Sequence, residues 1–208
     1  FLFSMNYISA MTKRNLFILV LILLAHHIKA NSDSLKLKLT TARNSEKLEI
    51  LQTLTRGCMF QSLDSCEKYG LLAVEIAKNL GDKAEEADAW KKIGYANYSK
   101  GNYENSLKYF FRSEQLFFDA GEYLDGSVIT NFIGDTYMQM GDYDKAIDNF
   151  QRAEKSCDSL ILNPNEETSA KRLSAILYTN IGVLYYNLDS LEKPLEYYNK
   201  ALGYAQEI

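Results

Sequence analysis

Few residues of the types that carry enzyme chemistry occur in this chain of 208 residues. Its two histidines, His26 and His27, are adjacent, and its three cysteines are Cys58, Cys66 and Cys157. General acid–base catalysis, serine–histidine triads and histidine-ligated metals all need a histidine within the folded domain. The cysteines lack the close pairing of a zinc site, and the glycines fall singly rather than in a phosphate-binding loop. The sequence therefore predicts no catalytic residue, no metal and no cofactor.

Neighbouring carboxylates are the remaining chemical candidates, because paired acids can act as general acid and base in a hydrolase. They occur as Glu85–Glu86, Glu166–Glu167, and Asp142 with Asp144. Each group lies where a helix is predicted to begin, and the helix dipole favours acids there. The two aspartates are also not followed by an EF-hand calcium loop. We expect solvated helix starts and caps, with a hydrolase that uses paired carboxylates as the enzyme alternative.

The first thirty residues have the pattern of an export signal. Basic residues precede an apolar run, Leu16–Ala25, and a small residue, Ala30, follows it. This arrangement is typical of a secretory signal peptide, and the run is shorter than the roughly 20 apolar residues that span a bilayer. The sequence predicts residues 1–30 to be upstream residues plus a signal peptide, and the mature chain to be exported, periplasmic or extracytoplasmic. An uncleaved N-terminal membrane anchor is the alternative.

Loss of that segment changes the charge of the chain. Both histidines and three basic residues are removed, which leaves 20 basic against 27 acidic residues. The net charge becomes −7 instead of −4. Nucleic acids and anionic membranes attract basic surfaces, so neither is expected as a partner.

The cysteine count leaves two interpretations open. Three cysteines in an exported chain do not form a disulfide framework. Cys58 and Cys66 lie eight residues apart across a predicted helix turn, so a single bridge between them is conceivable. In the other interpretation, Cys58 and Cys157 are small residues of the core.

An internal repeat organises the rest of the chain. Three copies share an isoleucine–glycine pair and a small residue 19 positions after the glycine: Gly94 with Ser113, Gly134 with Ala153, and Gly182 with Ala201. Each copy predicts two helices, with the glycine at the point where the second helix crosses closely. Asn102 and Asp142 are predicted to cap the second helices of the first two copies. Neither helix can bury its apolar stripe alone, and stacked hairpins can, so the repeat predicts a solenoid.

These residues resemble the tetratricopeptide repeat family. The resemblance rests on Trp90, Ile93–Gly94, Ser106, Phe110 and Ser113 in the first copy and on the equivalent positions of the other two. It implies an all-α fold, a right-handed superhelix of antiparallel helix hairpins. The repeats are predicted over 83–122, 123–163 and 166–208, after a linker over 31–45 and a degenerate hairpin over 46–82.

Within the degenerate hairpin, we expect Gly70 at the small position of the second helix and Ala77 at the closing position. The copy glycines are spaced by 40 and then 48 residues, where the family's usual repeat has about 34. Extra length is expected in longer helices and in a loop over 163–167.

Elongated repeats of this kind resemble the exported region of bacterial sensory and signalling proteins. The resemblance implies a protein- or peptide-interaction scaffold with no enzyme activity and no small-molecule cofactor. We expect it to be the extracytoplasmic sensory part of a longer signalling protein, a histidine kinase or a transcriptional regulator, with any membrane tether outside this chain. The alternative is a free-standing exported adaptor that assists assembly of an envelope complex.

The resemblance also implies a binding surface, because first helices line the concave face in this family. The residues expected to point inward and contact a partner are Lys91, Tyr95, Tyr98, Asn131, Asp135, Met138, Thr179, Val183 and Tyr186. Their mixture of amide, charged and aromatic groups suits peptide recognition. The family's clamp for C-terminal carboxylates is not predicted, since Tyr95 stands where that clamp needs asparagine.

Overall fold

A computed structural model of the protein describes residues 33–58 and 62–208, and every regular element in those ranges is a helix. The expected signal peptide lies outside the described residues. The chain divides into two compact units, residues 1–50 and 51–208. In the first unit, residues 33–39 form α1, inside the region predicted as a linker. No helix of the described part has the length and apolarity needed to cross a membrane.

Eight helices follow α1, and from α3 onward each packs against the next one in the chain. They are α2 (Asn44–Cys58), α3 (Leu63–Leu80), α4 (Lys83–Ser99), α5 (Tyr103–Ala120), α6 (Tyr123–Gln139), α7 (Tyr143–Ile161), α8 (Glu167–Asn187) and α9 (Lys193–Gln206). Consecutive packing of antiparallel helices builds a solenoid. The predicted all-α solenoid is confirmed.

A period of 40 residues fixes the helix ends from α3 to α6. The helices α3 and α5 both have 18 residues, and their first residues are 40 positions apart. The helices α4 and α6 both have 17 residues, and their first residues are also 40 positions apart. Gly81 and Gly121 end α3 and α5 with φ of 72° and 81°. This left-handed conformation satisfies the last carbonyls of a helix and favours glycine. Each hairpin therefore starts in the same register as the one before it.

Side-chain caps begin α3, α4 and α7. Oxygens of Ser62, Asp82 and Asp142 accept hydrogen bonds of 3.0–3.3 Å from the backbone N–H three residues later. Asn102, which the sequence also predicts as a cap, makes no such bond at the start of α5. The Trp90 indole donates to the Glu86 carboxylate at 3.2 Å, in the first half of α4. Asp82 and Asp142 thus serve helix starts, whereas Glu86 is buried and not solvated as the sequence predicted.

The copy glycines lie where the two helices of a hairpin cross. A Cβ atom on Gly94 would come within 2.5 Å of the Phe110 ring, and one on Gly134 within 2.7 Å of the Phe150 ring. Gly182 has the same relation to Tyr198, at 2.5 Å. In each hairpin a ring from the second helix rests on the backbone of the first. The predicted close crossing is confirmed in all three copies.

The first hairpin of the second unit reverses this arrangement, which corrects the expected place of Gly70. Because Gly81 and Gly121 are equivalent helix ends, Gly70 takes the position of Phe110, and Leu54 takes that of Gly94. In this hairpin the glycine lies on the second helix, and the Ile93 side chain of α4 packs against it. The side chain that packs against Gly70 therefore comes from the next hairpin, and the crossing contact of the other copies is not repeated here.

Carboxylates at equivalent positions join successive hairpins. Glu114 of α5 is 7% exposed and accepts hydrogen bonds from Thr130 Oγ1 at 2.5 Å and Arg152 at 3.0 Å. Forty residues later, Glu154 of α7 accepts a bond of 2.8 Å from the Tyr178 hydroxyl. Thr130 and Tyr178 each lie four residues before a copy glycine. Each acid thus fixes the first helix of the following hairpin.

The crossing geometry predicts opposite effects of alanine at two glycines. Gly134→Ala should lower the free energy of unfolding by about 1–3 kcal/mol, because the new Cβ overpacks against Phe150. Gly203→Ala in α9 should raise it by about 0.5–1 kcal/mol, because that Cβ meets no atom within 4 Å and alanine favours a helix. Urea unfolding followed by circular dichroism measures both. Equal changes of the same sign would contradict the crossing model.

Candidate functional site

The nine predicted contact residues lie on three helices that run side by side. Three belong to α4, three to α6 and three to α8, which are the first helices of successive hairpins. Side chains of α4 reach α6 through Lys91 and Tyr98, and Asn180 of α8 reaches α6. The structure thus brings the three helices into one surface, but it uses several of the predicted residues to hold that surface together.

Lys91 is bound by two carboxylates. Its Nζ lies 2.8 Å from Asp88 of the same helix and 3.2 Å from Asp125 of α6, and 5.0 Å above the Phe117 ring. Burial by itself lowers the pKa of Lys91, but the two carboxylates raise it overall. Burial likewise raises the pKa of Asp88, and Lys91 and Lys92 lower it overall. Lys91 is therefore a fixed charge between two helices.

Tyr95 and Tyr98 pack against α6. The Tyr95 ring lies 4.6 Å from Phe132 and 5.2 Å from Phe110, centroid to centroid. The Tyr98 hydroxyl donates to Asp135 at 2.5 Å. Burial, followed by that hydrogen bond and the Asp135 charge, raises the pKa of Tyr98. Tyr98 remains partly exposed and presents an edge to solvent.

Two positions of the predicted set are buried, which corrects the prediction from sequence. Asn131 is 2% exposed, and its Oδ1 accepts a hydrogen bond of 3.1 Å from Asn180 of α8. Met138 is 5% exposed and belongs to the core cluster around Phe150 and Leu184. Both side chains lie between helices because α8 crosses over α6 at this point. They support the surface from beneath and are not free to contact a partner.

The last helix of the set keeps its side chains exposed. Thr179 is exposed, Val183 is half-buried, and Tyr186 is 69% exposed. Ile176, which is 50% exposed, continues the same line one turn earlier. We call these four residues the α8 stripe. The equivalent positions of α4 and α6 are covered by the following first helix, whereas no described helix lies over the stripe.

Sequence reasoning missed Asp125, Phe132, Ile176 and Asn180. The first two are the α6 partners of Lys91 and Tyr95, and Asn180 is the α8 partner of Asn131. Ile176 could have been found, since it falls on the same face as Thr179 and Val183 at helical spacing. The other three depend on the register between neighbouring helices, which no local pattern reports.

The remaining members of the predicted set define the first-helix face. They are Lys91, Tyr95, Tyr98, Asp135, Thr179, Val183 and Tyr186. The described residues contain no cluster of three or more histidine, cysteine or acidic side chains that could hold a metal ion. The face therefore offers rings, hydroxyls and carboxylates for contact.

One known family model matches two segments of the chain. Residues 131–158 and 175–208 match the family model described as tetratricopeptide repeat. A search of the curated proteins finds no match.

Solved structures share the fold over most of this chain. One is a Signal Transduction ATPase with Numerous Domains protein from Pyrococcus horikoshii, which has a tetratricopeptide repeat sensor. It is 25% identical to this chain, with a TM-score of 0.68, and the match covers 82% of this chain and 25% of that one. This chain thus spans about a quarter of its length. BtubC from P. vanneervenii is 14% identical, with a TM-score of 0.69 over 88% and 72% of the two chains. MamA is 19% identical, with a TM-score of 0.54 over 88% and 92%. The last two likenesses show the fold alone.

The Tyr98–Asp135 contact predicts a dependence of stability on alkaline pH. Because the folded state raises the pKa of Tyr98 above its ordinary value, the stabilisation is complete below about pH 10 and is lost as the pH rises further. Tyr98→Phe should lower the free energy of unfolding by about 1 kcal/mol at pH 8, because the hydrogen bond to Asp135 is lost. Above about pH 10, the stability of this variant should fall less steeply than that of the wild type. Urea unfolding from pH 8 upward into the alkaline range measures this. Parallel pH curves for the variant and the wild type would refute the assignment.

Proposed function

We propose that this chain, which is a tetratricopeptide-repeat protein, is a scaffold that binds another protein or a peptide on its first-helix face. Repeats of this fold serve as interaction surfaces and are usually without catalysis of their own. The observation that carries the proposal is the α8 stripe, a mostly exposed line of apolar, hydroxyl and aromatic side chains on the helix next to α6. Exposed aromatic residues on a rigid support are favoured as anchors of protein interfaces.

The chemistry of the face favours a partner with apolar side chains and a positive charge. Tyr186 and Ile176 offer apolar area at one end. Further along the face, Asp88 and Asp125 lie around the half-buried Lys91, and Asp135 lies beside Tyr98. A carboxylate that is shared or solvated can accept another hydrogen bond from a basic side chain. A peptide with an apolar anchor next to a lysine or arginine would match both regions.

We further propose that the scaffold is the extracytoplasmic sensory part of a longer bacterial signalling protein. Two observations support this placement. Residues 1–30 have the order of charged, apolar and small residues that marks an export signal. The structure from Pyrococcus horikoshii combines a tetratricopeptide repeat sensor with a much longer signalling chain, of which this chain matches about a quarter. In this proposal the output region, a histidine kinase or a transcriptional regulator, lies in another part of the protein.

A free-standing exported adaptor that helps to assemble an envelope complex is the alternative. It uses the same face and the same export signal, so the two proposals differ only in what accompanies the repeats. The coding sequence after Ile208 separates them. A further apolar span of roughly 20 residues followed by an output region would favour the sensor. A stop codon shortly after the last hairpin would favour the adaptor.

The first-helix face can be tested by comparing partner capture between matched variants. Tyr186→Ala and Ile176→Ala alter the exposed α8 stripe, and Lys155→Ala alters an exposed residue of α7 on the second-helix side. We expect the first two to reduce the affinity for the captured partner at least about tenfold, because loss of one anchor side chain costs more than about 1.4 kcal/mol. Lys155→Ala should leave the affinity unchanged.

Affinity is measured by titration of the purified partner after its identification by affinity capture. Circular dichroism should show equal helicity in all three variants, since each changed side chain is exposed. Undiminished binding by both stripe variants would show that the partner uses another surface.

Export can be tested with a reporter that is active only outside the cytoplasm. Residues 1–30 fused to bacterial alkaline phosphatase should give enzyme activity in intact cells, and the fusion should be shortened by cleavage after Ala30. The matched control carries Ile18→Asp together with Leu21→Asp, which interrupts the apolar run. This double variant should abolish the activity, because export requires a continuous apolar segment. Activity that is equally absent from both fusions would refute the exported placement.

A further inference from the structure

Two buried thiols meet where the end of α2 lies close to the start of α3. Cys58 is the last residue of α2, and Cys66 lies in the first turn of α3. Both sulfur atoms point at the same acceptor, the backbone carbonyl oxygen of Thr55, at 3.2 Å for Cys58 and 3.5 Å for Cys66. The two side chains therefore converge on one point, although they belong to different helices.

The surroundings of the pair are apolar and differ for the two sulfurs. Ala96 of α4 completes the buried cluster, and Leu63 and Tyr69 pack against it. Cys58 keeps 9% exposure, whereas Cys66 has none. The proximity of the two thiols lowers the pKa of Cys58 and raises the pKa of Cys66. Cys58 is thus the more accessible of the two sulfurs and the one that ionises first.

We propose that Cys58 and Cys66 form a disulfide that joins α2 to α3, with Cys58 as the attacking thiol and Cys66 as the resolving thiol. The oxidant is an external disulfide, either a small molecule such as oxidised glutathione or a disulfide-bonded oxidoreductase. This inference rests on the convergence of the two sulfurs on the Thr55 carbonyl and stands independently of the proposed binding function.

The exchange proceeds in two balanced steps. The Cys58 thiolate attacks one sulfur of the external disulfide, forming a mixed disulfide and releasing one thiolate, which takes up the proton that Cys58 lost. Cys66 then loses its proton and attacks the Cys58 sulfur, and the second external thiol leaves with that proton. Two protein thiols are oxidised to one disulfide, and the external disulfide is reduced to two thiols.

The third cysteine provides an internal control. Cys157 of α7 is 1% exposed, and burial raises its pKa to about 11. The thiolate is the reactive form of cysteine, so this thiol should remain unreactive while the protein is folded. Cys157 is exposed to the same oxidant as Cys58 and Cys66 in the experiment below. Among the described residues, no second cysteine lies beside it.

The test counts thiols after native oxidation. The full chain is reduced, incubated while folded with oxidised glutathione, then unfolded and blocked with N-ethylmaleimide before mass analysis. We expect one maleimide per chain, on Cys157, and a linked peptide pair that contains Cys58 and Cys66. The bridge closes a short loop, so the melting temperature should rise by about 5 °C on oxidation. Three free thiols, or a bridge that includes Cys157, would overturn the proposal.

Three serine variants assign the order of the steps. Cys66→Ser should stop at the mixed disulfide and carry one glutathione on Cys58. Cys58→Ser should take up none in the same time, because Cys66 is fully buried, and Cys157→Ser should form the bridge at the wild-type rate. Glutathione retained on Cys66 in the Cys58→Ser variant would reverse the assigned roles. The wild-type peptide map decides the bridge itself, even where a variant fails to fold.

Discussion

The structure depends on one steric condition in its last three hairpins, which is that a glycine of the first helix lies where the two helices cross. Gly94, Gly134 and Gly182 meet this condition, and each receives an aromatic ring from the second helix. The close approach lets the ring cover backbone that would otherwise face solvent, and it fixes the rotation of both helices about their axes. Dense packing of this kind leaves no room for a methyl group. The register of every later contact follows from it.

Fixed rotation explains why the same polar contact recurs between hairpins. With each hairpin set in one orientation, Glu114 and Glu154 both point at the first helix of the next hairpin, and both accept a hydrogen bond there. The donors differ, a threonine in one case and a tyrosine in the other, because the position matters more than the residue type. Glu114 is buried, and a buried carboxylate without a donor would be costly. At this position the contact therefore also disfavours any other stacking of the hairpins.

Most of the fold could be predicted from the sequence, whereas much of the candidate surface could not. The copy glycines and the small residues 19 positions later follow directly from local spacing, and they predicted the helix crossings. The contact at Gly70 was not predicted, because its neighbour is Ile93 of the next hairpin and a local pattern does not record contacts between hairpins. The burial of Asn131 and Met138 was missed for a related reason. It depends on how α8 crosses α6, and the spacing of 48 instead of 40 residues changes that register.

The same reasoning separates residues that hold the scaffold from residues that can bind. Lys91 and Tyr98 already contact carboxylates of α6, so a partner that used them would first have to replace those contacts and would gain only the difference. Tyr186 is 69% exposed, so its burial by a partner would remove a large apolar area from water. Binding strength on this surface should therefore increase from α4 towards α8. Among the described first helices, the predicted contact residues of α4 and α6 are largely occupied by contacts within the fold, and those of α8 keep the greatest exposed area.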